Sequence, residues 1–291
     1  MRARVMAPIA VLVCAVLAGC TLPAPSGDAP LRYRDQVFPT VGVTTDLTYG
    51  RALDAGGTPV DLKLDLYQPN GDAVARRPAY VWIHGGGFAA GDKSSGAGRA
   101  SYMARLGYVV VSINYRLLSP EGCGGDRDPP PICEQAVLAA QHDAQAAVRW
   151  LRANANTYRI DPDRIAVGGS SAGAVTSLVV AWRSDDPGDS GNPGPSSRVR
   201  AAVSISGGIP TNEFIDSGDS PALFIHGTAD QTVFYDWAAS NAAAMYNAGV
   251  PVVLEPLEGA GHGLPSQYNQ LINEQSSYFL YYFMDLANAP R

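Results

Sequence analysis

The sequence predicts an α/β protein, a mostly parallel, doubly wound sheet with helices on both faces, folded as one domain. Three observations carry that reading. From Val60 onward short apolar runs alternate with longer helix-like segments, the pattern of repeated strand–helix units. Most of the short runs are continuous in Val, Ile, Ala and Phe, as strands covered on both faces require. The length of 291 residues, with 46% hydrophobic and 16% charged side chains, is enough for one large core that buries roughly 70–75% of the unfolded chain's surface. That composition excludes a disordered or collagen-like chain. A net charge of −6 with no basic stripe argues against a nucleic-acid partner, which needs clustered positive charge.

At the N-terminus, Arg2 and Arg4 precede an apolar run from Val5 to Ala18 that closes on Leu17-Ala18-Gly19-Cys20. The run is shorter than the roughly 20 residues a membrane-spanning helix needs. A positive end, a short apolar stretch and small residues at its close describe an export signal, residues 1–19. The Leu-Ala-Gly-Cys sequence resembles the lipobox of bacterial lipoproteins, which implies a lipid on Cys20 and a place in the cell envelope outside the cytoplasm. Plain secretion is the alternative. Removal of residues 1–19 would take the net charge to −8. Residues 20–30, rich in proline, read as a tether lifting the domain off a membrane surface, and residues 31–291 as the domain itself.

The expected strands are Val60–Tyr67, Ala79–Ile83, Tyr108–Ile113, Arg164–Val167, Ala201–Ile205, Ala222–Ile225 and Val252–Glu255. In the first of them Asp61, Lys63 and Asp65 alternate with apolar residues, so one face is wet and the strand belongs near an edge. The expected helices are Glu134–Ala153, Ala172–Trp182, Asp236–Asn247 and Tyr268–Leu286. Glu134–Ala153 places Val137, Ala140, Ala144, Val148 and Leu151 on one face. Ala172–Trp182 is apolar nearly all round, which predicts a buried helix. Cys123 and Cys133 stand close together in an exported chain, so a disulfide is expected between them, as a brace for the rim of a site. The segment between them has no His and no C-x-x-C pair, which argues against a metal.

Gly169-Ser170-Ser171-Ala172-Gly173 lies where an expected strand meets an expected helix. G-x-S-x-G in that context marks a nucleophile turn, although chance supplies the pattern in roughly one chain in four of this composition; the bland alternative is a helix-capping serine. His84-Gly85-Gly86-Gly87 follows another strand and is far rarer by chance, at about 0.005 per chain. Consecutive glycines let backbone amides approach an oxyanion, and the loop lacks the Lys of a phosphate-binding loop. Of the four histidines, His262 sits in a glycine-rich turn after the last strand and is the best base. Asp230, in His226-Gly227-Thr228-Ala229-Asp230, is the expected acid, with Asp236 and Glu258 as competitors. The order Ser171, Asp230, His262 matches one of the orders in which serine triads occur. Phe88, Tyr115, Tyr235 and Leu264 flank these motifs as pocket walls or as core.

These segments, with Leu62–Tyr67, Val81–Phe88, Asn114–Leu117, Asp143, Arg149–Leu151 and Asp161–Ile165, resemble the α/β-hydrolase serine esterases. The likeness lies near the hormone-sensitive-lipase-like and bacterial carboxylesterase or feruloyl-esterase-like groups. It implies an α/β-hydrolase fold and a serine hydrolase that cleaves carboxylic esters through an acyl-enzyme on Ser171, with His262 as base and Asp230 orienting it. It also implies an oxyanion hole formed by Gly86, Gly87 and Ala172. No cofactor is called for. The partners are a small-molecule, carbohydrate or polymer ester, and a membrane through the lipid on Cys20. Ser170 stands where those relatives have an acidic residue and Ala174 where they have Gly, and only Gly207–Pro221 is left for a lid, so little or none is expected. A serine peptidase of the same fold and a non-catalytic binding protein are the other readings. An imidazole acting as base must be neutral, so the rate is expected to fall below about pH 6–7.

Overall fold

Eight strands, found in a computed structural model that describes residues 21–289, form one sheet. They are β1 (Val41–Leu53), β2 (Pro59–Pro69), β3 (Arg77–Ile83), β4 (Val109–Ile113), β5 (Ile160–Ser170), β6 (Ala202–Ile205), β7 (Ala222–Gly227) and β8 (Val252–Leu257). The order across the sheet is β1-β2-β4-β3-β5-β6-β7-β8. The pairs β1/β2 and β2/β4 are antiparallel, and every later pair is parallel. The helices are α1 (Ala97–Leu106), α2 (Pro131–Ala153), the single turn α3 (Ala155–Tyr158), α4 (Ala172–Trp182), α5 (Tyr235–Asn247) and α6 (Asn269–Phe283). The expected export signal and Cys20 lie outside the described residues.

The alternation of side chains along β3 divides the core in two. Ala79, Val81 and Ile83 join the apolar cluster under α2, α4 and α5, while Tyr80 and Trp82 join the one under α1 and α6. All seven residues of β3 are buried, because it lies mid-sheet with a helix layer on each face. Each large apolar side chain buried in this way contributes about 1.5–3 kcal/mol. Helix α4 is buried along its whole length, as its all-round apolar sequence predicts, since α2 covers the side turned away from the sheet. A Cβ on Gly173 would collide with the carbonyl oxygen of Ile83, so glycine there lets the first turn of α4 press against the end of β3.

Two elements differ from expectation. Strand β1 has no counterpart among the expected strands. It is largely exposed and slips register twice, between Thr44 and Leu47 and between Thr48 and Gly50, which erases the period-two pattern. Its presence moves the half-wet strand β2 to second place in the sheet. Helix α1 was likewise not expected, because Gly96 and Gly98 sit at its start and its apolar stripe is short.

Residues 21–30 also differ from a free tether. Leu22 is buried, its amide donates to Gln275 Oε1 at 2.6 Å, and Gln275 Nε2 donates back to the Leu22 carbonyl at 3.3 Å. Tyr282 donates to the Pro23 carbonyl, and Arg34 donates to those of Pro25 and Gly27. Prolines remove amide donors but leave carbonyls exposed, and here those carbonyls are taken up by the domain.

Candidate active site

The carboxyl ends of β3, β5, β7 and β8 deliver the expected residues to one place. Ser171 occupies the turn between β5 and α4 with φ 54° and ψ −122°, a conformation that costs a non-glycine residue about 1–3 kcal/mol. Its amide donates to the Ile205 carbonyl at 2.9 Å. The hydroxyl does not cap α4, so the helix-capping alternative fails. Instead Ser171 Oγ lies 2.7 Å from His262 Nε2, and His262 Nδ1 lies 2.8 Å from Asp230 Oδ2. Residues 171, 230 and 262 are thus joined by two short hydrogen bonds.

Asp230 is buried, and four N–H groups converge on it. Oδ1 accepts the amides of Thr232 at 2.8 Å and Val233 at 3.0 Å. Oδ2 accepts His262 Nδ1 and faces His226 Nε2 at 3.0 Å. Burial alone would raise this carboxyl, but the hydrogen bonds from His226, His262 and Thr232 outweigh it and hold it well below the usual carboxylate range. Its competitors lie elsewhere. Asp236 pairs with Arg127 at 2.7 Å on the surface, and Glu258 is exposed.

His226 is a contact that the sequence reading passed over as the end of a strand. It is fully buried, and Nε2 also lies 2.8 Å from the Val233 carbonyl. A carbonyl can only accept, so the proton sits on Nε2 and is shared between that carbonyl and Asp230. The available cue was its place four residues before the acid.

The glycine loop is held by its carbonyls. In a planar trans peptide the C=O and the following N–H point in opposite directions, so fixing one aims the other. His84 Nδ1 bonds the Gly85 carbonyl at 2.7 Å, which fixes the amide of Gly86. The amides of Ala89 and Ala90 bond the Gly86 carbonyl at 3.0 Å each, which fixes the amide of Gly87. The Val175 amide bonds the Ser171 carbonyl at 3.0 Å, which fixes the amide of Ala172. Among the described residues, none of these three amides donates to a backbone carbonyl. Gly86 sits at φ 123° and a Cβ there would strike the Ala90 carbonyl, so this position requires glycine. His84 stacks on Tyr115 at 4.4 Å, and Tyr115 donates to the His84 carbonyl at 2.9 Å.

Cys123 and Cys133 are bridged. The bridged segment does not line the cavity beside Ser171; it backs the glycine loop. The Cys123 amide donates to the Gly87 carbonyl at 2.8 Å, the Ser119 amide to that of Phe88 at 3.2 Å, and the Gly125 amide to that of Thr232 at 2.8 Å. One short loop therefore ties the glycine turn to the loop carrying Asp230. Replacing both cysteines with serine is expected to lower stability by about 2–3 kcal/mol, as removal of so short a closed loop should. It is also expected to lower kcat more than it changes KM; thermal melts and steady-state kinetics check both.

A cavity of about 550 Å³ opens beside Ser171 and His262, walled by α1, α6 and the ends of the strands. Of the four flanking residues named from sequence only Leu264 lines it. Phe88 and Tyr115 are core, and Tyr235 packs edge-on against His226. Between β6 and β7 no helix is present, so no lid element of that kind stands over the cavity.

A family model described as BD-FAE matches residues 64–209 of the chain, half its length. The esterase LipI of Mycobacterium tuberculosis is 33% identical over 138 residues, which span 47% of this chain and 38% of that protein. The chain thus matches well under half the length of this curated relative. Among solved structures, the butyrate-bound esterase Est2 of Thermogutta terrifontis superposes with a TM-score of 0.69 at 26% identity, covering 87% of this chain and 97% of that one. A second structure of esterase 2 from that species, described as phosphorylated by paraoxon, superposes with a TM-score of 0.67 at 28% identity, with the same coverage of each chain.

Proposed function

The chain belongs to the BD-FAE family and has the α/β-hydrolase fold, and from that premise we propose that it is a serine hydrolase of carboxylic esters. The observation that carries the reading is the pair of hydrogen bonds joining Ser171 to His262 and His262 to Asp230, beside three amides that donate to no backbone carbonyl among the described residues.

In the proposed reaction Ser171 Oγ attacks the ester carbonyl while His262 Nε2 takes its proton. Asp230 holds the imidazole with its other proton on Nδ1 and stabilises the imidazolium that forms. The carbonyl oxygen, now carrying charge, is held by the amides of Gly86, Gly87 and Ala172. Loss of one such donor costs about 2.7–4 kcal/mol of transition-state stabilisation where it has been removed. The imidazolium protonates the leaving alcohol, and water then repeats the sequence on the acyl-enzyme. The paraoxon-phosphorylated relative supports a nucleophile of this kind, since organophosphates capture activated serines.

Matched substrates differing only in ester or amide linkage test the reading. Turnover of the ester with little or none of the amide is expected. Preferred cleavage of the amide would make the chain a peptidase instead, and failure to react with a fluorophosphonate would leave a binding protein. Export with lipid attachment at Cys20 is part of the same proposal. The Cys123–Cys133 bridge supports an oxidising compartment, and labelled palmitate should enter the wild type and not Cys20→Ser.

A further inference from the structure

Among the described residues, the cavity beside Ser171 is lined by one arginine or lysine, Arg99, and by no carboxylate. The protein as a whole is acidic. Several other arginines in contact with the fold are neutralised or capped. Arg32, Arg116 and Arg164 pair with Asp72, Asp143 and Asp161, while Arg149 and Arg152 are bonded by backbone carbonyls. Among the described residues Arg99 has a single acceptor, Oδ1 of Asn273, which meets Nη1. The side chain is half-buried, and its guanidinium carbon lies 5.5 Å from the centroid of the Trp82 ring. Burial lowers its pKa, and the groups that oppose the effect are Tyr80 and Tyr102, neither of them a carboxylate.

A guanidinium drawn out of water without a counter-charge is costly, and a site that keeps one is prepared for an anion. Asn273 and Trp82 fix the position of the fork from two sides, α6 and β3. Nε and Nη2, the edge that binds carboxylates in bidentate fashion, have no protein partner among the described residues. We propose that Arg99 selects esters whose cavity-bound half carries a carboxylate, such as half-esters of dicarboxylic acids or esters of carboxylated alcohols. The proposal rests on the ester-hydrolase reading above and names the substrate class of that site.

The test compares two pairs of esters, the members of each pair differing by one carboxylate. 4-Nitrophenyl hemiglutarate against 4-nitrophenyl pentanoate places the charge on the acyl half, and 3-carboxy-4-nitrophenyl acetate against 4-nitrophenyl acetate places it on the alcohol half. In wild type, kcat/KM for the anionic member is expected to exceed that for its neutral partner in one pair, and the advantage should shrink as NaCl is added. Arg99→Gln should cut that ratio by about 10- to 100-fold, the loss expected with a charge-assisted bidentate contact. Arg99→Lys, which keeps the charge and loses the fork, should fall between. A ratio unchanged by Arg99→Gln in both pairs overturns the proposal, as does wild-type preference for the neutral ester in both. Hydrolysis of none of the four esters would instead defeat the ester-hydrolase reading. In that event calorimetric binding of glutarate decides the anion site, with weaker binding by Arg99→Gln supporting it and equal or absent binding overturning it.

Discussion

Ser171→Ala should lower kcat on an activated ester by about 10⁶-fold, the loss seen where the nucleophile of such a triad was removed. On the proposed mechanism the loss is this large because Ser171, His262 and Asp230 act as a unit. With the hydroxyl gone, His262 Nε2 loses the group it meets at 2.7 Å and has no proton to take from a nucleophile. What remains is the contribution of the aimed amides and of binding, about 10³–10⁴ over water. A structural role for the side chain is separated from a catalytic one by Ser171→Gly. That variant should be as inactive, yet it removes strain of about 1–3 kcal/mol at φ 54° against an entropic cost of about 0.5–1 kcal/mol. Its melting temperature should therefore match or exceed wild type. Retained turnover in either variant would show that the acyl group is carried elsewhere.

Asp230→Asn should lower kcat by about 10⁴-fold while leaving the fold intact. The reason lies in the four donors around the carboxylate. Oδ1 faces two backbone amides, so an asparagine must keep its oxygen there and turn its NH₂ toward His226 and His262. His262 Nδ1 would then accept a hydrogen bond, its proton would move to Nε2, and the imidazole could no longer take the proton of Ser171. The same donors hold the Asp230 carboxyl below its usual range, which sets two signs. In activity, Asp230 stays ionised across mildly acidic pH, so the acid limb of kcat/KM should follow a single proton. In stability, a carboxyl whose folded-state pKa is depressed contributes above its unfolded pKa of about 3.9 and loses that contribution as pH falls toward the folded value. The melting-temperature gap between wild type and Asp230→Asn should be largest at neutral pH and narrow in acid.

Much of the site was legible because its chemistry needs rare local patterns. Three adjacent glycines after a buried strand serve few purposes other than exposing amides, and a serine between glycines at a strand–helix junction has few others. The apolar strands from β3 to β8 were legible for a different reason, since burial on both faces leaves continuous runs. Strand β1 was hidden because an exposed edge strand with two register slips obeys neither period. Helix α1 was hidden because glycines open it. His226 and Arg99 belong to a third class. Their significance comes from what faces them, Asp230 in one case and an acid-free cavity in the other, and neighbours brought together by folding leave no trace in linear spacing. The polar-looking segment 21–30 misled by composition, since Leu22, Pro23, Pro25 and Gly27 offer carbonyls to Gln275, Tyr282 and Arg34.

The grip of α6 on Leu22 has a mechanical consequence for an acylated form of the protein. Between Cys20 and the clamped Leu22 there is one residue, Thr21, so the two are joined by at most about 7 Å of extended backbone. Gln275, which holds Leu22, stands within one helical turn of Ile272 and Asn273 in the cavity wall. An enzyme moored so closely could not swivel like a buoy on a long chain. It would ride hull-down on the bilayer at a set angle, with α6 as its keel, and would meet esters within a narrow layer above the lipid.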